Sequence, residues 1–163
     1  MKLIAYTDGS NTYNGFEYSY GGYGWVLFIS GEDHLKIEGG ASMPVCVDDP
    51  VTNNKAEILG VVSVLEYAYN NFFNEVTHID VYTDSALTVN CANRKWKAKK
   101  NLDLFARLFK VRNILTKSGC EVNIKWVKGH AGDTHNERAD ELANFYSNLV
   151  KQERNNRVTN TEI

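Results

Sequence analysis

The chain has 163 residues, of which 43% are hydrophobic and 23% charged, and its formal net charge is −2. This length and composition are typical of a single globular domain with a substantial core. They exclude a membrane-spanning protein, since no apolar run approaches about 20 residues, and a domain that binds nucleic acid through net charge alone. Three widely spaced cysteines and the lack of a signal peptide predict reduced thiols and a cytoplasmic protein.

The first part of the chain predicts three strands, at residues 2–7, 23–30 and 35–41. Residues 11–20 between the first two are polar and aromatic, and they predict a loop. The other connections are short, so we expect the three strands to form an antiparallel meander.

The rest of the chain alternates helices and strands. A helix capped by Thr52 or Asn53 runs to about residue 70, and a strand at 78–82 and a short helix at 85–93 follow. A helix capped by Asn101, a strand at 121–127 and a last helix, which Asn136 caps and which runs to about 151, complete the pattern. This order predicts an α/β fold with a mixed sheet, whose second half is parallel. We expect one catalytic domain at 1–151 and a polar, disordered tail at 152–163.

Four acidic residues have settings that suit a metal site. Asp8 and Asp84 each follow an apolar strand, whereas Glu57 and Asp140 lie early in predicted helices. If the two strands are parallel neighbours, their carboxylates meet at one sheet edge, where they repel each other or recruit a cation. Each residue alone is explained by a turn, a cap or an exposed position. Together they indicate a divalent metal pair and phosphoryl-transfer chemistry.

Six segments in this order resemble a type 1 ribonuclease H (RNase HI family). They are YTDGS at 6–10, GGYG at 21–24, TNNKAE at 52–57, YTDS at 82–85, WVKGHAG at 126–132 and NERADELA at 136–143. The resemblance implies a ribonuclease H-like fold: a five-stranded mixed sheet of order 3-2-1-4-5, with strand 2 antiparallel and helices on both faces. It implies endonucleolytic hydrolysis of the RNA strand of RNA–DNA hybrids with two Mg²⁺ ions, for which Mn²⁺ can substitute, leaving 5′-phosphate and 3′-hydroxyl ends.

The resemblance also implies roles for five residues. Asp8 would bridge both metals, and Glu57 and Asp84 would hold the metal on the leaving-group side. Asp140 would complete the site of the metal that activates water, and His130 would assist proton transfer or product release. A rival Ser/His/Asp hydrolase lacks a nucleophile elbow in this sequence.

Substrate contacts carried over from the family fall into two groups. Asn53 and Asn54 would reach across the minor groove, Thr52 would contact a DNA phosphate, and Ser10 would offer backbone groups to the RNA. A basic segment would grip the DNA strand through Trp96, Lys97, Lys99 and Lys100. We expect the protein to be a monomer that binds the RNA–DNA hybrid. We expect no association with a membrane and no obligate protein partner.

This chain departs from the family pattern in three places. The basic segment is short, and Ala86 stands where the family often has a glutamine that touches a base. The loop at 11–20 is longer than usual, so the phosphate-pocket asparagine is either Asn11 or Asn14. Two alternatives remain open: a catalytically silent nucleic-acid-binding domain on this fold, and the same chemistry on another RNA substrate.

Overall fold

One five-stranded mixed sheet forms the centre of the structure, a computed structural model that describes residues 1–129 and 132–162. Its strands are β1 (Lys2–Thr12), β2 (Tyr20–Ile29), β3 (Ile37–Met43), β4 (His78–Thr83) and β5 (Glu121–Trp126). Their order is β3-β2-β1-β4-β5. Strand β2 is antiparallel to β1 and β3, whereas β4 is parallel to β1 and β5. The fold class and sheet order expected from the sequence are therefore confirmed.

Four helices cover the sheet: α1 (Asn53–Phe72), α2 (Ala86–Ala92), α3 (Leu102–Lys117) and α4 (Thr134–Glu162). Helix α1 packs on β1 and on α3, and the larger core between them and the sheet includes Leu3, Leu27, Ile58, Leu65 and Leu108. Helix α4 covers β1, β2 and β3 on the opposite face, over a smaller cluster. Across the described residues, every helix is too short or too polar to span a lipid bilayer.

Strand β1 is longer than the sequence predicts, and this changes the position of Asp8. The strand continues to Thr12 because β2 pairs with it in register as far as Tyr20. The parallel pairing with β4, in contrast, ends at Tyr6 and Tyr82. Asp8 therefore does not end its strand; it lies just beyond the point where the parallel pairing stops.

Helix α4 differs from the prediction at both ends. It begins at Thr134, because the Asp133 carboxylate accepts the backbone N–H groups of residues 135 and 136 and acts as the cap in place of Asn136. At its other end the helix continues through Glu162, where the sequence predicted a disordered tail. The Glu153–Arg157 ion pair, four residues apart, favours this extension.

Candidate active site

The parallel pairing of β1 and β4 brings Asp8 and Asp84 side by side. The last paired residues are Tyr6 and Tyr82, so each aspartate stands two residues further along its strand direction. Asp8 is only 6% exposed. The Asp84 backbone is held by the Trp126 indole, whose Nε1 donates to the Asp84 carbonyl at 3.2 Å. The sheet edge predicted from the sequence is thus where both carboxylates lie.

Helix α1 supplies Glu57 from its second turn. The Thr52 hydroxyl caps this helix by accepting the Lys55 N–H at 3.2 Å, which fixes the direction of the first turn. Glu57 is only 5% exposed because β1 approaches the helix backbone closely at Gly9. A β-carbon at Gly9 would lie 2.7 Å from the Glu57 nitrogen, so this approach requires glycine.

Three of the four predicted carboxylates form one cluster, and the fourth borders it. Asp8, Glu57 and Asp84 each offer an oxygen atom within 4.8 Å of the others. The Asp140 side chain lies close enough to Asp8 to contribute to the raised pKa of Asp8. All four line an open cavity of about 440 Å³. Helix α4 brings Asp140 to this cavity by packing tightly on Gly24, where a β-carbon would lie 2.5 Å from the β-carbon of residue 142.

The cluster is electrostatically unfavourable when only protein atoms are considered. Burial, followed by the charge of Asp84, raises the pKa of Asp8 to about 7. Burial, followed by the charges of Asp8 and Asp84, raises the pKa of Glu57 to about 10. The Oε2 atom of Glu57 is buried and has no hydrogen-bond partner among the described residues. A bound cation would remove both problems, since it favours ionised carboxylates and takes oxygen ligands.

A contact that the sequence did not predict joins Ser10 to helix α4. The Ser10 hydroxyl donates to Asn144 Oδ1 at 2.7 Å. Asn144 lies one helical turn after Asp140, and this spacing of four residues is the sequence signal that could have identified it. Ser10 is therefore positioned by the same helix that carries Asp140.

The structure distinguishes between the two candidate asparagines of the loop before β2. Asn14 lies beside the start of α1, where its Oδ1 accepts the Asn53 backbone N–H at 2.8 Å. Asn14 and Thr52 line the same cavity, whose volume is about 830 Å³. Asn11 lies within β1, and its side-chain nitrogen is buried without a partner among the described residues. Asn14 is the residue positioned to contact a ligand in that cavity.

Asn53 and Asn54 are exposed and link three neighbouring cavities. Both line the carboxylate cavity and the 830 Å³ cavity along the start of α1. Asn54 also lines a third cavity of about 530 Å³ on the predicted basic segment, which contributes Trp96, Lys97, Lys99 and Lys100. Trp96 is 51% exposed. The amides and the basic segment therefore border one continuous surface next to the carboxylates.

His130 lies outside the described residues. The preceding residue, Gly129, lies close to the cluster: a β-carbon there would be 2.6 Å from Asp84 Oδ2. The role expected for His130 stays a prediction.

Buried carboxylates at the carboxyl edge of parallel strands, beside an open polar cavity, are typical of metal-dependent enzymes of the phosphoryl-transfer class. Comparisons with known proteins identify the family. The RNase H family model matches residues 1–147. A ribonuclease H from Caulobacter sp. is 36% identical over 155 residues, which cover 87% of this chain and 87% of the relative.

Solved structures agree with this match. The N-terminal RNase H domain of a Mycobacterium tuberculosis protein, fused to maltose-binding protein, has a TM-score of 0.73 and 27% identity, covering 94% of this chain and 98% of that chain. LC11 RNase H1, solved in complex with RNA/DNA hybrid, shares the fold with a TM-score of 0.67 and 23% identity, covering 90% of this chain and 97% of that chain. This chain belongs to the RNase H family, whose members are metal-dependent endonucleases.

Proposed function

We propose that this protein hydrolyses the RNA strand of RNA–DNA hybrids by two-metal-ion catalysis, leaving 5′-phosphate and 3′-hydroxyl ends. The observation that carries the proposal is the cluster of Asp8, Glu57 and Asp84, whose oxygens lie within 4.8 Å of one another. A donor set made of carboxylate oxygens suits hard cations, so Mg²⁺ is the expected ion and Mn²⁺ its substitute. The match to the RNase H family supports the substrate and the reaction.

Asp8 would be the ligand shared by both ions, because it clusters with Glu57 and Asp84 and lines the same cavity as Asp140. Glu57 and Asp84 are assigned to one ion beside Asp8, and Asp140 to the other. Bound divalent ions supply a water of lowered pKa and stabilise the negative charge that develops on the phosphate. The protein residues hold the reacting groups in line, and no protein nucleophile is required.

The amides at the start of α1 are assigned to substrate recognition. Asn53 and Asn54 are exposed, and both border the carboxylate cavity. Side-chain amides both donate and accept hydrogen bonds, so they suit the 2′-hydroxyls and base edges of a minor groove. The Thr52 hydroxyl accepts from the Lys55 N–H, which leaves its own proton available for a phosphate oxygen. LC11 RNase H1, which shares this fold, was solved in complex with an RNA/DNA hybrid, and this supports a hybrid as the ligand.

The basic segment is assigned to the DNA strand. Its side chains Trp96, Lys97, Lys99 and Lys100 are exposed and line a cavity that also includes Asn54. Lysines bind phosphates by charge, and the exposed indole can pack against a sugar or a base. Because this segment is short, we expect it to contribute affinity rather than cleavage specificity.

Cleavage of an end-labelled RNA–DNA hybrid, with and without Mg²⁺, tests the proposal. RNA–RNA and DNA–DNA duplexes and the Asp8→Asn protein serve as controls. The expected result is metal-dependent cutting of the RNA in the hybrid alone, lost in the variant. Binding without cutting in either Mg²⁺ or Mn²⁺ would favour the silent binding domain, and equal cutting of RNA–RNA duplex would favour the broader substrate.

A further inference from the structure

An exposed cluster of aromatic rings lies at the turn between β1 and β2. Tyr13 is 52% exposed, Phe16 is 59% exposed and Tyr18 is 47% exposed. Phe16 stacks on Tyr18, with ring centroids 5.5 Å apart and planes 11° from parallel, and Tyr13 meets Tyr18 edge-on at 5.0 Å. We call these three residues the aromatic tip. Rings grouped at a surface in this way indicate a contact site rather than a folding requirement.

The aromatic tip is held in place by hydrogen bonds. The Phe16 N–H donates to the Tyr13 carbonyl and the Ser19 N–H to the Phe16 carbonyl, each at 3.0 Å. The buried Ser19 hydroxyl donates to the Val51 carbonyl at 2.7 Å, which ties the turn to the segment before α1. A contact surface that is ordered before binding loses little conformational entropy when a ligand arrives.

The aromatic tip continues the surface proposed for the substrate. Asn14, between Tyr13 and Gly15 in the chain, accepts the Asn53 backbone N–H at 2.8 Å. Asn14 and Gly15 line the 830 Å³ cavity with Thr52, and Lys100 borders it from the basic segment. A nucleic-acid strand that follows this cavity away from the carboxylates therefore runs toward the turn that carries the rings.

The chemistry of the aromatic tip favours bases over phosphates. Glu17 lies exposed among the three rings, so the turn itself carries negative charge. The nearby cation is Arg154 of α4, which lies over the Tyr20 ring at 5.5 Å and donates to the Tyr18 carbonyl. Aromatic rings bind bases by stacking, and every base offers a flat face. Bases inside a duplex are already stacked, so the available ligand is an unpaired base.

We infer that the aromatic tip binds an unpaired base of a strand that continues beyond the RNA–DNA hybrid. The protein then prefers a hybrid joined to a single strand over a blunt hybrid. This inference depends on the proposed function for the position of the hybrid. Because stacking rather than charge carries the contact, the preference should depend little on salt, in contrast to the lysine contacts of the basic segment.

Steady-state cleavage in Mg²⁺ tests this inference. The substrates are a blunt hybrid and the same hybrid extended by single-stranded DNA or RNA at either end. We expect one extended hybrid to have a KM about tenfold lower than the blunt hybrid, because it gains one base stacked on an aromatic ring. The double variant Phe16→Ala/Tyr18→Ala should lose this difference and cleave the blunt hybrid as wild type does. Phe145→Ala is the matched control, since Phe145 is 54% exposed on α4.

Three outcomes would overturn the inference. The first is an equal KM for blunt and extended hybrids in the wild type. The second is a preference for the extended hybrid that survives in the double variant. The third is a double variant whose KM rises equally for all substrates. Sedimentation that shows a dimer dependent on the aromatic tip would assign the rings to a second copy of the chain instead. Failure of the wild type to cut the blunt hybrid is a different result, because it contradicts the proposed function itself.

Discussion

Replacing Asp8 with asparagine should stabilise the metal-free protein at neutral pH while abolishing cleavage. The gain is expected because Asp8 is buried beside Asp84 and Glu57, with carboxylate oxygens within 4.8 Å of one another. Asparagine has nearly the same shape but no charge, so it removes repulsion without leaving a cavity. It is also a poor metal ligand in place of a carboxylate, so activity should be lost.

The size and pH dependence of this gain follow from the pKa of Asp8. Burial and then Asp84 raise that pKa from 3.8 to about 7. Between these two pH values the folded protein holds a proton on Asp8 that the unfolded chain has released, so the free energy of unfolding falls as pH rises. Above about pH 7 Asp8 is ionised in both states, and the full cost of burying its charge is present. A rise of about three units in the pKa of Asp8 corresponds to a loss of about 4 kcal/mol in the free energy of unfolding. Because Glu57 shares the repulsion, we expect asparagine to recover about 2 kcal/mol.

Urea unfolding in the presence of a chelator, at about pH 4 and about pH 8, measures this difference. The variant should exceed the wild type at the higher pH and match it at the lower one, with equal m values. Asp48→Asn is the matched control, because Asp48 is exposed and should give no gain. Equal stability of wild type and Asp8→Asn at the higher pH would refute the reasoning. Added Mg²⁺ should then stabilise the wild type more than the variant.

Three further predictions address the cluster, its packing and the basic segment. Glu57→Gln should lower kcat by about a hundredfold or more in steady-state cleavage with Mg²⁺, and near-normal kcat would remove Glu57 from the metal site. Gly9→Ala should destabilise the protein by about 1–3 kcal/mol in urea, because its β-carbon would lie 2.7 Å from the Glu57 nitrogen; an unchanged midpoint would contradict the close packing. Alanine at Lys97, Lys99 and Lys100 should reduce the slope of log K against log salt by about 0.9 for each lost phosphate contact. Lys117→Ala is the control for the lysine variants, and an unchanged slope would exclude this segment from the interface.

The mixed character of the sheet was predictable because it follows from local signals, whereas its strand order was expected from the family resemblance. Short links between the first three strands and long helical connections afterwards determine which neighbours are antiparallel and which are parallel. The length of β1 was not predictable in this way. The strand continues to Thr12 because it pairs with β2 as far as Tyr20. The local sequence pattern of β1 does not reveal this pairing.

The grouping of Asp8, Asp84 and Glu57 was predictable from strand direction and helix position. The cap of α4 was misassigned to Asn136, because Asp133 and Asn136 are both good caps and the polar loop before this helix has no apolar pattern to fix the start. The contact from Ser10 to Asn144 spans 134 residues, and the two side chains meet only once α4 packs on β1. The sequence therefore predicted which carboxylates meet, but not the contact that positions Ser10.

Asp80 shows how this fold neutralises a buried carboxylate with its own side chains. It is 4% exposed on β4 and faces Asn123, whose Nδ2 donates to it at 3.0 Å. The ammonium groups of Lys2 and Lys125 each lie 3.4 Å from the same oxygen. Burial alone would raise the pKa of Asp80, but these three neighbours outweigh it and lower the pKa below its ordinary value.

Asp8 and Glu57 are as deeply buried as Asp80, yet their pKa values are raised. Burial is the largest cause of the raised pKa values of Asp8 and Glu57, and the charges of neighbouring carboxylates add to it. At Asp80, in contrast, an amide and two lysines outweigh the effect of burial. The same fold therefore neutralises one buried carboxylate with its own side chains and leaves two others bordering an open cavity. Their folded arrangement becomes favourable only when positive charge enters that cavity. Metal binding should for this reason both stabilise the fold and complete the site, so the same ions act on stability and on cleavage.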